Sequence, residues 1–110
     1  MLENHPLRGA ISESFVVSEL TKAFVHRGLD APLYHWRDAT GHEVDVLIDL
    51  GDRLFPVEVK SAVTLGAHVF DGLRWWTDIP SNPNKKGMLI HRGKVRREQE
   101  RFAVRPWWIW

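Results

Sequence analysis

The residues best placed by type and spacing to do chemistry are Asp45, Glu58 and Lys60, with twelve residues between the two acids. They fall in two β-rich runs, Glu43–Asp49 (EVDVLID) and Arg53–Lys60 (RLFPVEVK), joined by Leu50-Gly51-Asp52. Side chains alternate across a strand, so Glu43, Asp45 and Leu47 share one face of the first run, and Glu58 and Lys60 one face of the second. A short turn makes the runs neighbours, and cross-strand partners lie ~5 Å apart. Asp45 and Glu58 then converge, with Lys60 one pleat farther on. Converging carboxylates repel each other unless a proton or a divalent cation lies between them. Oxygen donors from few side chains suit magnesium or manganese, which keep several waters. The lysine ammonium is suited to orienting a water or offsetting charge on a phosphate. The bland alternative is a Glu58–Lys60 surface ion pair, worth at most ~1 kcal/mol.

Other elements must hold these residues. Residues 9–27 read as a first helix, stopped by Gly28. Val16, Val17, Leu20, Ala23 and Phe24 fall on one arc at helical spacing, and Glu13 falls inside it. A carboxylate there faces the core side; its bland reading is a helix-terminus acid near the positive end of the macrodipole. Leu33–Arg37 reads as a strand, and 38–42 as a hairpin connection in which Gly41 is free to take positive φ. Pro56 cannot donate to a ladder, so the third strand is expected to be bulged or edge-facing near its start. Residues 64–77 read as a second helix with Gly72 inside it, and Gly87–His91 as a fourth strand. The charged stretch Gly93–Arg101 reads as a loop or a solvated helix, and the tail leaves room for one more short strand. The order is helix, three strands, helix, strand.

Asp45, followed after twelve residues by Glu58-Val59-Lys60, resembles the D…(D/E)xK core of the PD-(D/E)xK nuclease-like superfamily. The resemblance implies an α/β, restriction-endonuclease-like fold: helix, three strands, helix, strand around a central mixed sheet. It further implies that Asp45 and Glu58 bind the metal with the carbonyl of Val59. Lys60 then assists the attacking water, and Glu13 extends the acidic cluster. A narrower resemblance rests on HPLRGAISESFVVSELTK, LYHWRDATGHEVDVLID and FPVEVKSAVT, in that order. It runs from about His5 to Trp76, with the Pro-Trp-Trp tail similar as well. These strings resemble the C-terminal domain, of unknown function, of a family of prokaryotic AAA-type ATPases. Val44 stands before Asp45 where the superfamily name has proline, and the second helix lacks the glutamine and tyrosine that some nuclease branches use. No ATP site is expected: Gly87 to Gly93-Lys94-Val95 is one residue too long for a phosphate-binding loop, and Val95 lacks the hydroxyl.

The chain has 110 residues, with 44% hydrophobic and 26% charged, so one globular domain over 1–110 is expected rather than a disordered or multi-domain chain. There is no cysteine, which removes thiol catalysis and cysteine-ligated zinc and fits a reducing, cytoplasmic setting. No apolar run has the ~18–20 residues of a membrane span, and no signal-peptide pattern opens the chain. Met1-Leu2-Glu3-Asn4 reads as an internal cut or a late start. None of the six histidines shows HExxH spacing, so His35, His42 and His91 read as turn or strand polar residues.

Net charge is +1 but unevenly placed, −5 over 1–84 and +6 over 85–110. Lys85, Lys86, Arg92, Lys94, Arg96 and Arg97 are therefore candidates for holding nucleic-acid phosphates, against the reading of a solvated surface. Trp107, Trp108 and Trp110, three indoles in four residues, are expected to make a self-association or inter-domain contact with at least one ring. Three functions stand in competition. The first is a magnesium- or manganese-dependent nuclease. The second is a non-catalytic interaction or oligomerisation module of an AAA-type ATPase, and the third is plain nucleic-acid binding.

Overall fold

Alternation over residues 43–46, the apolar run Val46-Leu47-Ile48 and the β-branched residues around Glu58 make two strands that a sheet covered on both faces satisfies. The computed structural model describes residues 8–28, 33–61, 65–66 and 68–107, the side chains of 8–14, 24 and 25 aside. Helix α1 (Arg8–His26) precedes strands β1 (Leu33–Arg37), β2 (Glu43–Asp49) and β3 (Leu54–Lys60). Helix α2 (Asp71–Thr77) and strands β4 (Gly87–His91), β5 (Arg97–Gln99) and β6 (Phe102–Pro106) follow. The six strands form one mixed sheet in the order β1-β2-β3-β4-β6-β5. β1, β2 and β3 are an antiparallel meander. β4 runs parallel to β3, β6 parallel to β4, and β5 antiparallel to β6.

The sheet is covered on both faces. Val16 and Leu20 of α1 pack with Val46, Ile48, Val57 and Ile90. On the other face Phe70 and Leu73 pack with Leu89, Phe102 and Val104, where the rings of Phe70 and Phe102 stack at 5.5 Å. Trp76 of α2 closes a third cluster with Val44 and Leu47. Burying each of these side chains stabilises the fold by about 1.5–3 kcal/mol. Two arginine clamps tie α2 to the β5–β6 turn. Arg74 pairs bidentately with Glu100 (2.7 and 3.1 Å), which takes a positive φ of 56°. Arg101 returns to Thr77 (2.8 Å) and Asp78 (2.6 Å).

Several expectations are met closely. β1, β2 and β4 have the expected bounds, β3 begins one residue later than expected, and α1 is shifted by one residue. β2 and β3 pair antiparallel, Val16 and Leu20 face the sheet, and Gly41 takes φ 93° in the hairpin. The expectation for Phe24 lies outside the described residues.

Others need correction. The second helix spans only Asp71–Thr77, not 64–77, with a turn at 68–70 closed by Asp71 N–H donating to the His68 carbonyl (3.2 Å). Leu65 and Val69 still pack against the Phe70–Leu73 cluster, so their apolar spacing reflects burial and not a continuous helix. Pro56 is neither on an edge nor exposed: it sits in a central strand, opposite Leu47. The β3–β4 ladder begins at Val57↔Met88, one residue past it. Gly87 packs there, where a Cβ would lie 3.1–3.2 Å from Pro56 and Leu73 atoms. The charged stretch is neither plain loop nor helix, since Arg97–Gln99 pairs with β6 as the edge strand β5. No described helix is long and apolar enough to cross a membrane.

Candidate functional site

The β2–β3 ladder runs regularly from Asp49↔Leu54 to Val46↔Val57 and then changes character. Continuing that register by one residue sets Asp45 beside Glu58. At this point side chains replace carbonyls as acceptors. The Asp45 N–H donates to Glu58 Oε1 (3.2 Å), and the Val59 N–H donates to Asp45 Oδ2 (2.8 Å). Each acid thus takes an amide hydrogen of the opposite strand, which keeps the backbone satisfied while the strands part. Where they part, a cleft of about 620 Å³ opens. Glu43, Asp45, Glu58, Val59, Lys60, Asp71, Gly72 and Trp75 are among its lining residues.

Electrostatics make the pair tense. Glu58 is only 6% exposed, and burial, then the neighbouring Asp45, pushes its carboxyl up to about 7. Lys60 Nζ, 3.4 Å from Glu58 Oε2, offsets part of this. Asp45 is also raised, first by burial, with the Val59 N–H acting against it. A group that is costly to ionise and yet faces an open cleft is a recognised mark of functional sites. Gly72 allows α2 to approach: a Cβ there would lie 3.1 Å from the Glu43 carbonyl oxygen and 3.5 Å from the Glu58 carboxyl.

The carboxylates can hold a hydrated divalent cation. Asp45 Oδ1 carries no hydrogen bond among the described residues, and each Glu58 oxygen keeps an acceptor position beyond its single partner. Among the described residues, no group of three or more His, Cys, Asp or Glu side chains is arranged for a metal. Paired carboxylates are the donor type that magnesium or manganese takes, each keeping several of its waters.

Asp45, Glu58, Val59 and Lys60 are brought together as the sequence led one to expect. Glu13 lies on α1, but its side chain is outside the described residues, as are Trp108 and Trp110. Trp107 is half-buried against the α1-side core, edge-on to Phe15 at 4.8 Å. The basic segment is divided. Lys85 and Lys86 precede β4, whereas Arg92, Lys94, Arg96 and Arg97 follow its other end, the end paired with Lys60. Arg101 and Arg105 are already bonded to acids, Asp78 and Glu98.

Sequence reasoning missed His42, Gly72 and Trp75 as part of the cleft. A glycine inside an apolar helical pattern was the available signal for Gly72, since such a residue often marks a close packing approach. His42 and Trp75 carried no such signal, because they meet across 33 residues of chain.

A mixed six-stranded α/β sheet with helices on both faces and an acid pair where two strands part defines the class of domain. Comparison with protein families matches residues 8–110 to the model described as Domain of unknown function (DUF4143). The chain belongs to that family, which is known as a C-terminal domain of AAA-type ATPases. Comparisons with curated proteins and with solved structures returned no match.

Proposed function

We propose that this domain is a metal-dependent phosphodiester hydrolase of the nuclease type, acting in the cytoplasm on the tail of an AAA-type ATPase. The carrying observation is the Asp45–Glu58 pair, buried at the parting of two strands, with Lys60 beside it and solvent access through the cleft. The helix, antiparallel meander, helix and parallel strand support reading the core as restriction-endonuclease-like. A bound magnesium or manganese ion supplies Lewis-acid polarisation of the phosphoryl oxygen and activation of water near neutral pH.

The protein residues divide the remaining work. Asp45 and Glu58 would hold the cation with the Val59 carbonyl. Lys60 offsets negative charge developing on the phosphate, an effect strengthened by its partial burial. Arg92 and Lys94 follow His91, the β4 residue paired with Lys60, so the phosphate-holding role is assigned to them ahead of Lys85, Lys86, Arg96 and Arg97.

Calorimetric titration with manganese, paired with a cleavage assay on single- and double-stranded substrates, tests the proposal. The expected result is binding at sub-millimolar metal and metal-dependent cleavage. Metal affinity should be lost in Asp45→Ala and Glu58→Ala but kept in Lys60→Ala, which loses rate. No binding at millimolar manganese would overturn the proposal and leave the non-catalytic interaction module as the better account.

A further inference from the structure

Two of the residues that line the cleft, His42 and Trp75, are aromatic. The His42 ring stacks on Trp75 at 4.2 Å between centroids and 12° between planes, and Trp75 continues to Trp36 at 5.2 Å and 33°. The ladder runs outward from the core: Trp36 and Trp75 pack against Val44, Leu47 and Trp76, whereas the His42 side chain is 45% exposed. The hairpin is closed by groups other than the His42 ring: the Asp38 N–H donates to the His42 carbonyl (2.9 Å), and Asp38 Oδ1 accepts the N–H of Thr40 and of His42, both at 2.9 Å. What the hairpin does is orient the ring. The Thr40 hydroxyl lies 2.8 Å from His42 Nδ1, and Asp38 Oδ2 lies 3.4 Å from the same atom. With Trp75 on one face and Thr40 on the Nδ1 edge, the exposure of His42 falls on its other face and its Nε2 side. That face belongs to a residue lining the same cleft as Asp45, Glu58 and Lys60.

We infer that the outer face of His42, backed by Trp75 and Trp36, is a stacking platform for an unpaired nucleobase. The substrate of this cleft is then a single strand or an unpaired end, not an intact duplex. The inference rests on the hydrolase reading above and adds the strandedness of its substrate. Two physical points carry it. In a duplex both faces of a base are occupied by its neighbours, whereas an unpaired base offers a π-face to any aromatic ring. In addition, the lining holds four carboxylates (Glu43, Asp45, Glu58 and Asp71) against the one ammonium of Lys60. So acidic a cleft repels a phosphate backbone, and affinity within the cleft itself must come from the uncharged base and from a divalent cation that neutralises the acids, the basic residues after β4 lying outside its lining. Single-strand binding here should therefore be cation-dependent, unlike binding to a basic groove.

The test measures fluorescence anisotropy of labelled oligo-dT, oligo-U and a duplex of equal length, with calcium as a cation that permits binding without turnover, and with chelator. The expected result is single-strand binding at least about tenfold tighter than duplex, lost with chelator. His42→Ala should weaken it by about tenfold, the scale of one lost base stack, while His42→Phe, which keeps a ring face, should restore it. The oligo-dT and oligo-U arms tell whether the base is carried on DNA or RNA. Equal binding of duplex and single strand, or an unchanged His42→Ala, would overturn the inference. Unaltered manganese titration in His42→Ala then shows the hydrolase reading intact. Absence of manganese binding in the unaltered protein would instead remove that reading and this inference together.

Discussion

Two polar groups are buried on neighbouring strands of the same sheet, and they are treated in opposite ways. His91 of β4 is fully buried and fully partnered: its Nδ1 accepts the Gly93 N–H (3.0 Å), and Nε2–H donates to the Val95 carbonyl (2.7 Å). Backbone groups on both sides dictate that tautomer, because an amide N–H only donates and a carbonyl only accepts. Its own carbonyl accepts the Trp107 N–H (2.8 Å), so His91 pins both the loop after β4 and the end of β6. Glu58 is nearly as buried, yet its partners leave it with a raised carboxyl beside a second acid and an open cleft. Burial marks both groups; what separates them is that His91 is fully partnered, whereas Glu58 keeps a raised carboxyl beside a second acid.

The largest effect expected from this contrast is on turnover. Asp45→Ala, Glu58→Ala and Lys60→Ala should each reduce metal-dependent cleavage to background, whereas a His91 variant that remains folded should still bind manganese with unchanged affinity. A His91 variant that lost metal binding while keeping its stability would reverse the two assignments.

Stability against pH sharpens the contrast next. The Glu58 carboxyl is raised from 4.5 unfolded to about 7 folded. The folded state therefore holds the proton more tightly, and the resulting stability is complete below about pH 4.5 and lost as pH rises through about 7. The shift corresponds to a loss of about 3 kcal/mol for the metal-free protein. Urea unfolding at a series of pH values should show this fall, Asp45 adding in the same direction. Glu58→Gln should flatten it and be the more stable protein at pH 8. Saturating manganese should also flatten the fall, by favouring the ionised pair.

His91→Ala should cost about 2 kcal/mol at neutral pH, because it strands the Gly93 N–H and the Val95 carbonyl and leaves a cavity. Denaturant midpoints read this directly, and an unchanged midpoint would make His91 dispensable. Gly72→Ala should show the smallest change in stability, within about 1 kcal/mol, since the gain in helix propensity opposes the contact with the Glu43 carbonyl. Manganese affinity should nevertheless fall severalfold, as the helix is pushed from Glu58. An affinity equal to wild type would show that the approach of α2 does not shape the site.

Local pattern was enough to identify the strands that carry the acids. Alternation in EVDVLID and the short turn after it are local signals, and the same alternation placed Asp45, Glu58 and Lys60 on one face. The arc of Val16 and Leu20 likewise identified the buried side of α1. Tertiary structure alone decided the rest. Arg97-Glu98-Gln99 has no apolar alternation to read, and becomes a strand only because β6 lies beside it with unpaired backbone groups. Pro56 occupies a central strand because the β4 ladder begins just past it, at a residue 32 positions away in sequence. The stacking of His42 on Trp75 depends on α2 returning to the first hairpin, and the raised carboxyl of Glu58 depends on its burial beside Asp45. Periodicity reports which way a side chain points; burial, pairing and charge depend on which distant residue it meets, and that is settled only when the chain has folded.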